Sequence, residues 1–304
     1  YFRTAKASNA QPASGEIRAN LLQLETLVSL ANFLPLDDGL RSQLDAYAPR
    51  GRVSNLEAQW QGSPKKLDSY TIKGQFDNIA VRQVGEMPGF SGLTMDIDGG
   101  DAGGRLNINS RRLMVNAPGV MREPLSFVTL TGQAGWRSKL GELSINVDNV
   151  AAANNDLAGN VYGSYQTRAG TLGILDLTVS LTRGDVKHAA RYTPLVAVGK
   201  EASDWLNGAL QAGHTEDLRI RIKGNLSDFP VDGTTNALLE IGGHAQDVVL
   251  EFDKKWPRIE NLSGELLIRG NKLEVKSPAA TMLGASLKNF DVTMPDMMSE
   301  DLPL

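Results

Sequence analysis

The sequence contains no cysteine, which excludes disulfide staples, thiolate nucleophiles and Cys-ligated zinc. Basic charge is not in excess: 31 Lys and Arg stand against 35 Asp and Glu, a net charge of −4. A nucleic-acid binder neutralises phosphates with a basic surplus, so that class is excluded. The same balance supplies no polybasic patch for anionic headgroups. No run approaches eighteen consecutive apolar residues, and no transmembrane helix is predicted. Aromatic residues are sparse, 6% of the 304. The chain opens on Tyr1-Phe2-Arg3, with neither Met nor a signal-peptide core, and closes beyond Met297-Met298 without an obvious device. A piece of a longer protein is expected, with any anchor or targeting signal outside it.

What the chain does have is 41% hydrophobic residues with only 22% charged, enough for an ordered fold. Apolar and polar residues alternate along most of it, broken by Gly, Asn, Asp or Pro every eight to twelve positions. Leu93-Thr94-Met95-Asp96-Ile97, Leu143-Ser144-Ile145-Asn146-Val147, Leu175 to Leu181 and Leu218 to Lys223 are examples. One apolar and one polar face is the mark of half-buried antiparallel strands. Helical spacing is confined to Leu21–Leu34, to Leu40, Leu44 and Tyr47, and to Ala202, Trp205, Leu206, Ala209 and Leu210. About sixteen strands against four short helices leave more apolar sheet than helices can cover. Such a sheet, left open, extends about 75 Å at the usual strand spacing. Its apolar face has two outlets: pack on another sheet as a sandwich, or curve and hold something apolar.

The sequence resembles itself. Leu44–Gly62 aligns with Leu206–Gly224 at an offset of 162 (206 − 44). Gly74, Ile79, Val81, Pro88 and Leu93 match Gly243, Val248, Leu250, Pro257 and Leu262 at 169 (243 − 74). Leu113, Val115 and Pro118 match Leu273, Val275 and Pro278 at 160 (273 − 113). Two units of one design are expected, 1–165 and 166–304. The fall from 169 to 160 makes Asp96–Gly104 an enlarged hairpin turn.

Catalytic constellations are not evident. His188, His214 and His244 lie near separate turns with no partner at ligand spacing. Counted from Asp96, the fifth position of a calcium loop is Gly100 and the twelfth is Asn107 where a bidentate Glu is needed, and no G-K-[ST] follows Gly104. Asp37 is placed to cap the helix of Leu40. No nucleophile motif or H-E-x-x-H is present, so neither an enzyme, a metal nor a cofactor is expected.

Two runs carry a family resemblance. Trp256-Pro257-Arg258-Ile259-Glu260-Asn261-Leu262-Ser263-Gly264-Glu265-Leu266 precedes Gly270-Asn271-Lys272-Leu273-Glu274-Val275. Trp205–Gly213 leads into Ile222-Lys223-Gly224-Asn225-Leu226-Ser227-Asp228-Phe229-Pro230, with Leu34–Gly62 as its counterpart. These resemble the repeat of the AsmA-like family of Gram-negative envelope proteins. The resemblance implies an elongated, curved antiparallel β-sheet forming an open apolar groove, with a few short amphipathic helices. It implies a periplasmic segment of a bridge-like lipid transporter, sheltering the acyl chains of glycerophospholipid. Contact with the inner and outer membranes, and an inner-membrane anchor, would belong to parts of the chain not present. The groove lining it implies is drawn from positions whose apolar phase agrees in both halves: Leu56, Ala58, Trp60, Leu218, Ile220 and Ile222. Ile79, Val81, Leu93, Ile97, Val248, Leu250, Leu262 and Leu266 join them. For any of these, packed sheet core is the competing account. For the whole, the competitor is a structural or partner-binding scaffold without lipid.

Overall fold

The computed structural model describes residues 1–5, 12–33, 38–63, 66–229, 231 and 234–296. The chain divides into two compact units, Tyr1–Ala117 with Ser126–Val150, and Pro118–Leu125 with Ala151–Leu304. Each is mainly β, an antiparallel sheet whose strands neighbour one another in chain order.

Alternation in the first unit produces β1 (Phe2–Ala5), β2 (Ser14–Gln23), β3 (Arg50–Ser63), β4 (Lys66–Val81), β5 (Gly89–Gly100), β6 (Gly103–Asn116), β7 (Leu125–Lys139) and β8 (Glu142–Ala153). Between β2 and β3 stand α1 (Leu24–Leu30), a 3-10 turn at Ala31–Phe33 and α2 (Asp38–Tyr47). The helix expected from Leu21 begins later, because Leu21 and Leu22 still pair with Ser54 and Val53. Asp37, the expected cap, lies outside the described residues, as do Leu34 and Pro230.

The second unit holds β9 (Leu157–Gln166), β10 (Ile174–Asp185), β11 (Leu210–Thr215), β12 (Arg219–Asn225), β13 (Leu238–Leu250), β14 (Ile259–Arg269), β15 (Lys272–Met282) and β16 (Ala285–Met294). Its helical insertion follows β10: a 3-10 turn Val186–His188, α3 (Ala189–Tyr192) and α4 (Leu195–Ala209), the last broken at Gly199, where φ is +80°. β11 and β12 both pair with β10 on one side and β13 on the other. Together they occupy the place that the continuous β3 has beside β2 and β4.

Asp96–Gly104 is not an enlarged turn. β5 and β6 stay paired through Asp98↔Arg105 and Gly99↔Gly104, leaving two residues, Asp101 and Ala102, at the tip. Ile97↔Leu106 corresponds to Leu266↔Val275 at the same offset of 169 (266 − 97 and 275 − 106). The offset of 160 read at Leu113 is therefore a misalignment. Several strands carry one residue with left-handed φ: Asn55 (+52°), Asn78 (+52°), Arg112 (+56°), Asp247 (+53°), Asn261 (+54°) and Asn289 (+51°). Most of these coincide with a register shift, and each extra residue moves the apolar phase by one. Apolar residues then stand three apart, as in Phe76-Asp77-Asn78-Ile79 and Ala245-Gln246-Asp247-Val248. The freed amide of Asn78 donates to Thr94 Oγ1 and that of Asp247 to Ser263 Oγ, both at 3.0 Å and again 169 apart (247 − 78, 263 − 94).

The packed interior lies at the level of these bulges. Val53, Ile79 and Leu113 are buried there in the first unit, where α1 lies beside β2 and β3. Val248, Leu262 and Ala280 form the buried cluster of the second, with Val186 of the helical insertion against them.

Candidate functional site

From the bulges towards the hairpin tips, the apolar face of each sheet changes character. In the second unit one residue from each of seven strands lies at the same level: Val161, Val179, Ile220, Ile241, Ile268, Leu273 and Met294. All seven are half-buried and none is fully covered. Seven strands at about 4.8 Å make an apolar row of about 29 Å. The next level, Leu266, Val275 and Val292, is the same. In the first unit the matching row runs Phe2, Ile17, Ala58, Ile72, Gly99 and Gly104. Trp136 lies over the two glycines, where an added Cβ would stand 2.8 Å and 2.4 Å from its ring, and gives its indole N–H to the Gly100 carbonyl at 3.0 Å.

The reverse face is charged and internally paired. Arg18, Glu57, Lys73, Asp98 and Arg105 follow one another across five strands of the first unit, with Lys73 and Asp98 in contact at 3.1 Å. In the second, Lys223 meets Asp176 at 3.0 Å and Arg269 meets Glu240 at 3.1 Å. Opposite charges at facing positions favour this register and keep that side in water.

All fourteen residues expected to line a groove fall on the apolar face of their own unit. Leu56, Ala58, Trp60, Val81, Leu93 and Ile97 are half-buried in the first, and Leu218, Ile220, Ile222, Leu250 and Leu266 in the second. Ile79, Val248 and Leu262 are 6%, 6% and 8% exposed; they belong to the packed level at the bulges. Alternation missed Ile72, Ile241 and Ile268, although each stands two residues from a glycine that punctuates its strand. Trp205 ties α4 to the loop after β13 rather than to the sheet. Its N–H donates to the Phe252 carbonyl at 3.0 Å, and the two rings meet edge-on at 5.7 Å.

Two of the three histidines, His188 and His244, have carboxylate partners, one of which, Asp185, stands only three residues before His188. His188 Nδ1 lies 3.0 Å from Asp185 and 3.5 Å from Asp156. Asp156 also accepts from the Tyr192 hydroxyl at 2.8 Å and from Arg191, which holds Glu123 at 2.7 Å. Burial by itself raises the Asp156 carboxyl, but Tyr192, His188 and Arg191 outweigh it and hold it below the usual range. This cluster fastens the helical insertion to the β8–β9 turn. His244 pairs with Asp217 at 2.7 Å, and the carboxylate raises the imidazole. Asp217 also takes the His244 amide at 2.7 Å, filling the break between β11 and β12. Among the described residues no group of three or more His, Asp or Glu is arranged to hold a metal. No described helix is long and apolar enough to cross a membrane.

These features define an antiparallel β-sheet protein with one charged face and one broad, partly uncovered apolar face. The family described as "YhdP protein" matches residues 2–304, and the chain belongs to that family, in keeping with the AsmA-like resemblance. It is similar to the "Intermembrane phospholipid transporter YhdP" of Escherichia coli (strain K12), 24% identical over 299 residues, which are 95% of this chain and 23% of that protein. The chain thus spans about a quarter of the relative's length. No solved structure matches it.

Proposed function

We propose that this chain is a periplasmic segment of a bridge-like phospholipid transporter, binding lipid without catalysis. In this reading the full protein is anchored in the inner membrane and reaches towards the outer membrane through parts beyond this segment. The observation that carries it is the half-buried seven-strand row that runs from Val161 through Ile220 and Ile241 to Met294. Acyl chains laid there gain about 0.8 kcal/mol for each CH₂ taken out of water. A row of about 29 Å accommodates a leaflet's acyl layer, about half of the roughly 30 Å hydrocarbon core. Phosphate stays at the wet rim, since burying it unpaired is unfavourable. Many equivalent aliphatic positions without a deep pocket suit movement along the face rather than storage. The name of the similar protein, the shared family and the uncovered face support this reading. We further propose that the two halves, 1–165 and 166–304, repeat one design, on the strength of the paired registers and bulge bonds 169 apart.

The test is direct. The purified chain, incubated with phosphatidylethanolamine vesicles and separated from them by gel filtration, is expected to elute with lipid detectable by extraction and mass spectrometry. A folded chain that elutes free of lipid would overturn the reading.

A further inference from the structure

Trp60 and Tyr70 face each other across β3 and β4, one step beyond the row of Ile17, Ala58 and Ile72 towards the hairpin tips. Gly15 makes the room: a Cβ there would stand 2.0 Å from Trp60 Cζ2. Phe2 lies against Trp60 with ring centroids 6.3 Å apart. Phe2 is 61% and Tyr70 37% exposed, so nothing in the described protein closes over this corner. Trp136 and Trp205 both spend their indole N–H on a backbone carbonyl. Neither the Trp60 N–H nor the Tyr70 hydroxyl has a hydrogen-bond partner among the described residues. Two neutral donors are therefore carried by paired residues of adjacent strands at the edge of an aliphatic row, with the Trp60 ring leaning over Gly15 of β2. Of their neighbours, Thr4, Gly15, Phe2, Ile72 and Gly99 carry no charge, and the carboxylate of Asp101 accepts the Tyr70 amide at 2.8 Å.

We infer that Trp60 and Tyr70 form a subsite for the ester carbonyls of a diacyl glycerolipid, with Phe2 and the Ile17–Ala58–Ile72 row covering the adjoining methylenes. The inference rests on the lipid-binding reading above and adds where along the molecule the lipid is held. Neutral N–H and O–H donors match neutral carbonyl acceptors, whereas a phosphate at this level would call for a cation. Aromatic rings with one polar atom suit the boundary between hydrocarbon and water. The subsite reads the acyl–glycerol linkage and ignores the headgroup.

The experiment compares diacyl phosphatidylcholine with its dialkyl ether analogue, which has the same headgroup and tails but no carbonyls. Unaltered protein is expected to bind the diacyl lipid about three- to tenfold more tightly, as one or two neutral hydrogen bonds provide. Diacyl phosphatidylglycerol should bind as well as phosphatidylcholine. The W60F/Y70F variant, which keeps both rings, should bind ester and ether lipids equally. In a W136F/W205F/W256F variant, bromines near the carbonyls should quench Trp60 emission more than bromines near the chain ends. Equal binding of ester and ether lipids by the unaltered protein, with lipid still bound, would overturn the subsite and leave the lipid reading standing. Binding of neither lipid would overturn both.

Discussion

Replacing Ile220 by aspartate separates an uncovered face from a packed one. Ile220 is half-buried, so the substitution forfeits about half of the 1.5–3 kcal/mol that full burial of such a side chain is worth, roughly 1 kcal/mol. Loss of a β-branched residue from a strand adds up to about 1 kcal/mol. On an open face the new carboxylate remains hydrated, and the total stays near 2 kcal/mol. Val248 is the internal comparison, 6% exposed and packed with Leu262 and Ala280. Aspartate there loses the whole burial term and must also shed water from a charge, for at least about 4 kcal/mol. Urea unfolding of I220D and V248D reads both values. If I220D is as destabilising as V248D, water does not reach the Ile220 row and the argument for an uncovered face fails.

Three further outcomes are expected. At Asn78, where φ is +52°, N78V should destabilise by about 1–3 kcal/mol in urea unfolding, while N78G stays within about 0.5 kcal/mol; equal effects would show that the bulge is not left-handed in solution. Because the Asp156 carboxyl is held below its ordinary value, its contribution is complete at neutral pH and disappears as pH falls below about 4. D156N should lower stability at pH 7 and flatten that acid limb, and an unchanged acid profile would contradict the role given to the cluster. A side chain at Gly104 would collide with Trp136, so G104V should shift Trp136 emission to longer wavelength; an unshifted spectrum would place the indole elsewhere.

Much of the architecture was legible because the physics is local. Leu175–Leu181 alternates and is β10; Leu40, Leu44 and Tyr47 keep helical spacing and lie in α2. The fourteen lining candidates fall on the apolar side of their sheets because a polar face and an apolar face cannot be exchanged without burying charge. The bulges were not legible. Asn, Asp and Arg at positions such as 55, 78, 112 and 247 look like ordinary polar strand residues, yet their left-handed φ displaces the apolar phase by one. Alternation carries no register of its own: Leu113 and Val115 match Leu273 and Val275 in pattern alone, so a two-residue tip reads as an insertion. The division between covered and uncovered levels was also hidden. Ile79 and Ile97 have the same character in sequence, yet Ile79, at the bulge, is buried and Ile97, nearer the hairpin tip, is half-exposed. The pairs His188–Asp156 and His244–Asp217 join residues 32 (188 − 156) and 27 (244 − 217) positions apart, beyond any local spacing rule.

Site-specific photocrosslinking on opposite faces of the same strands tests the central claim most directly. A benzophenone amino acid is placed at Ile220 or Ile97 on the apolar side and at Arg221 or Asp98 on the charged side, in protein exposed to radiolabelled phosphatidylethanolamine vesicles. The account predicts lipid adducts at 220 and 97 and none at 221 and 98. Adducts to protein alone at 220 and 97, or equal lipid labelling on both faces, would contradict it.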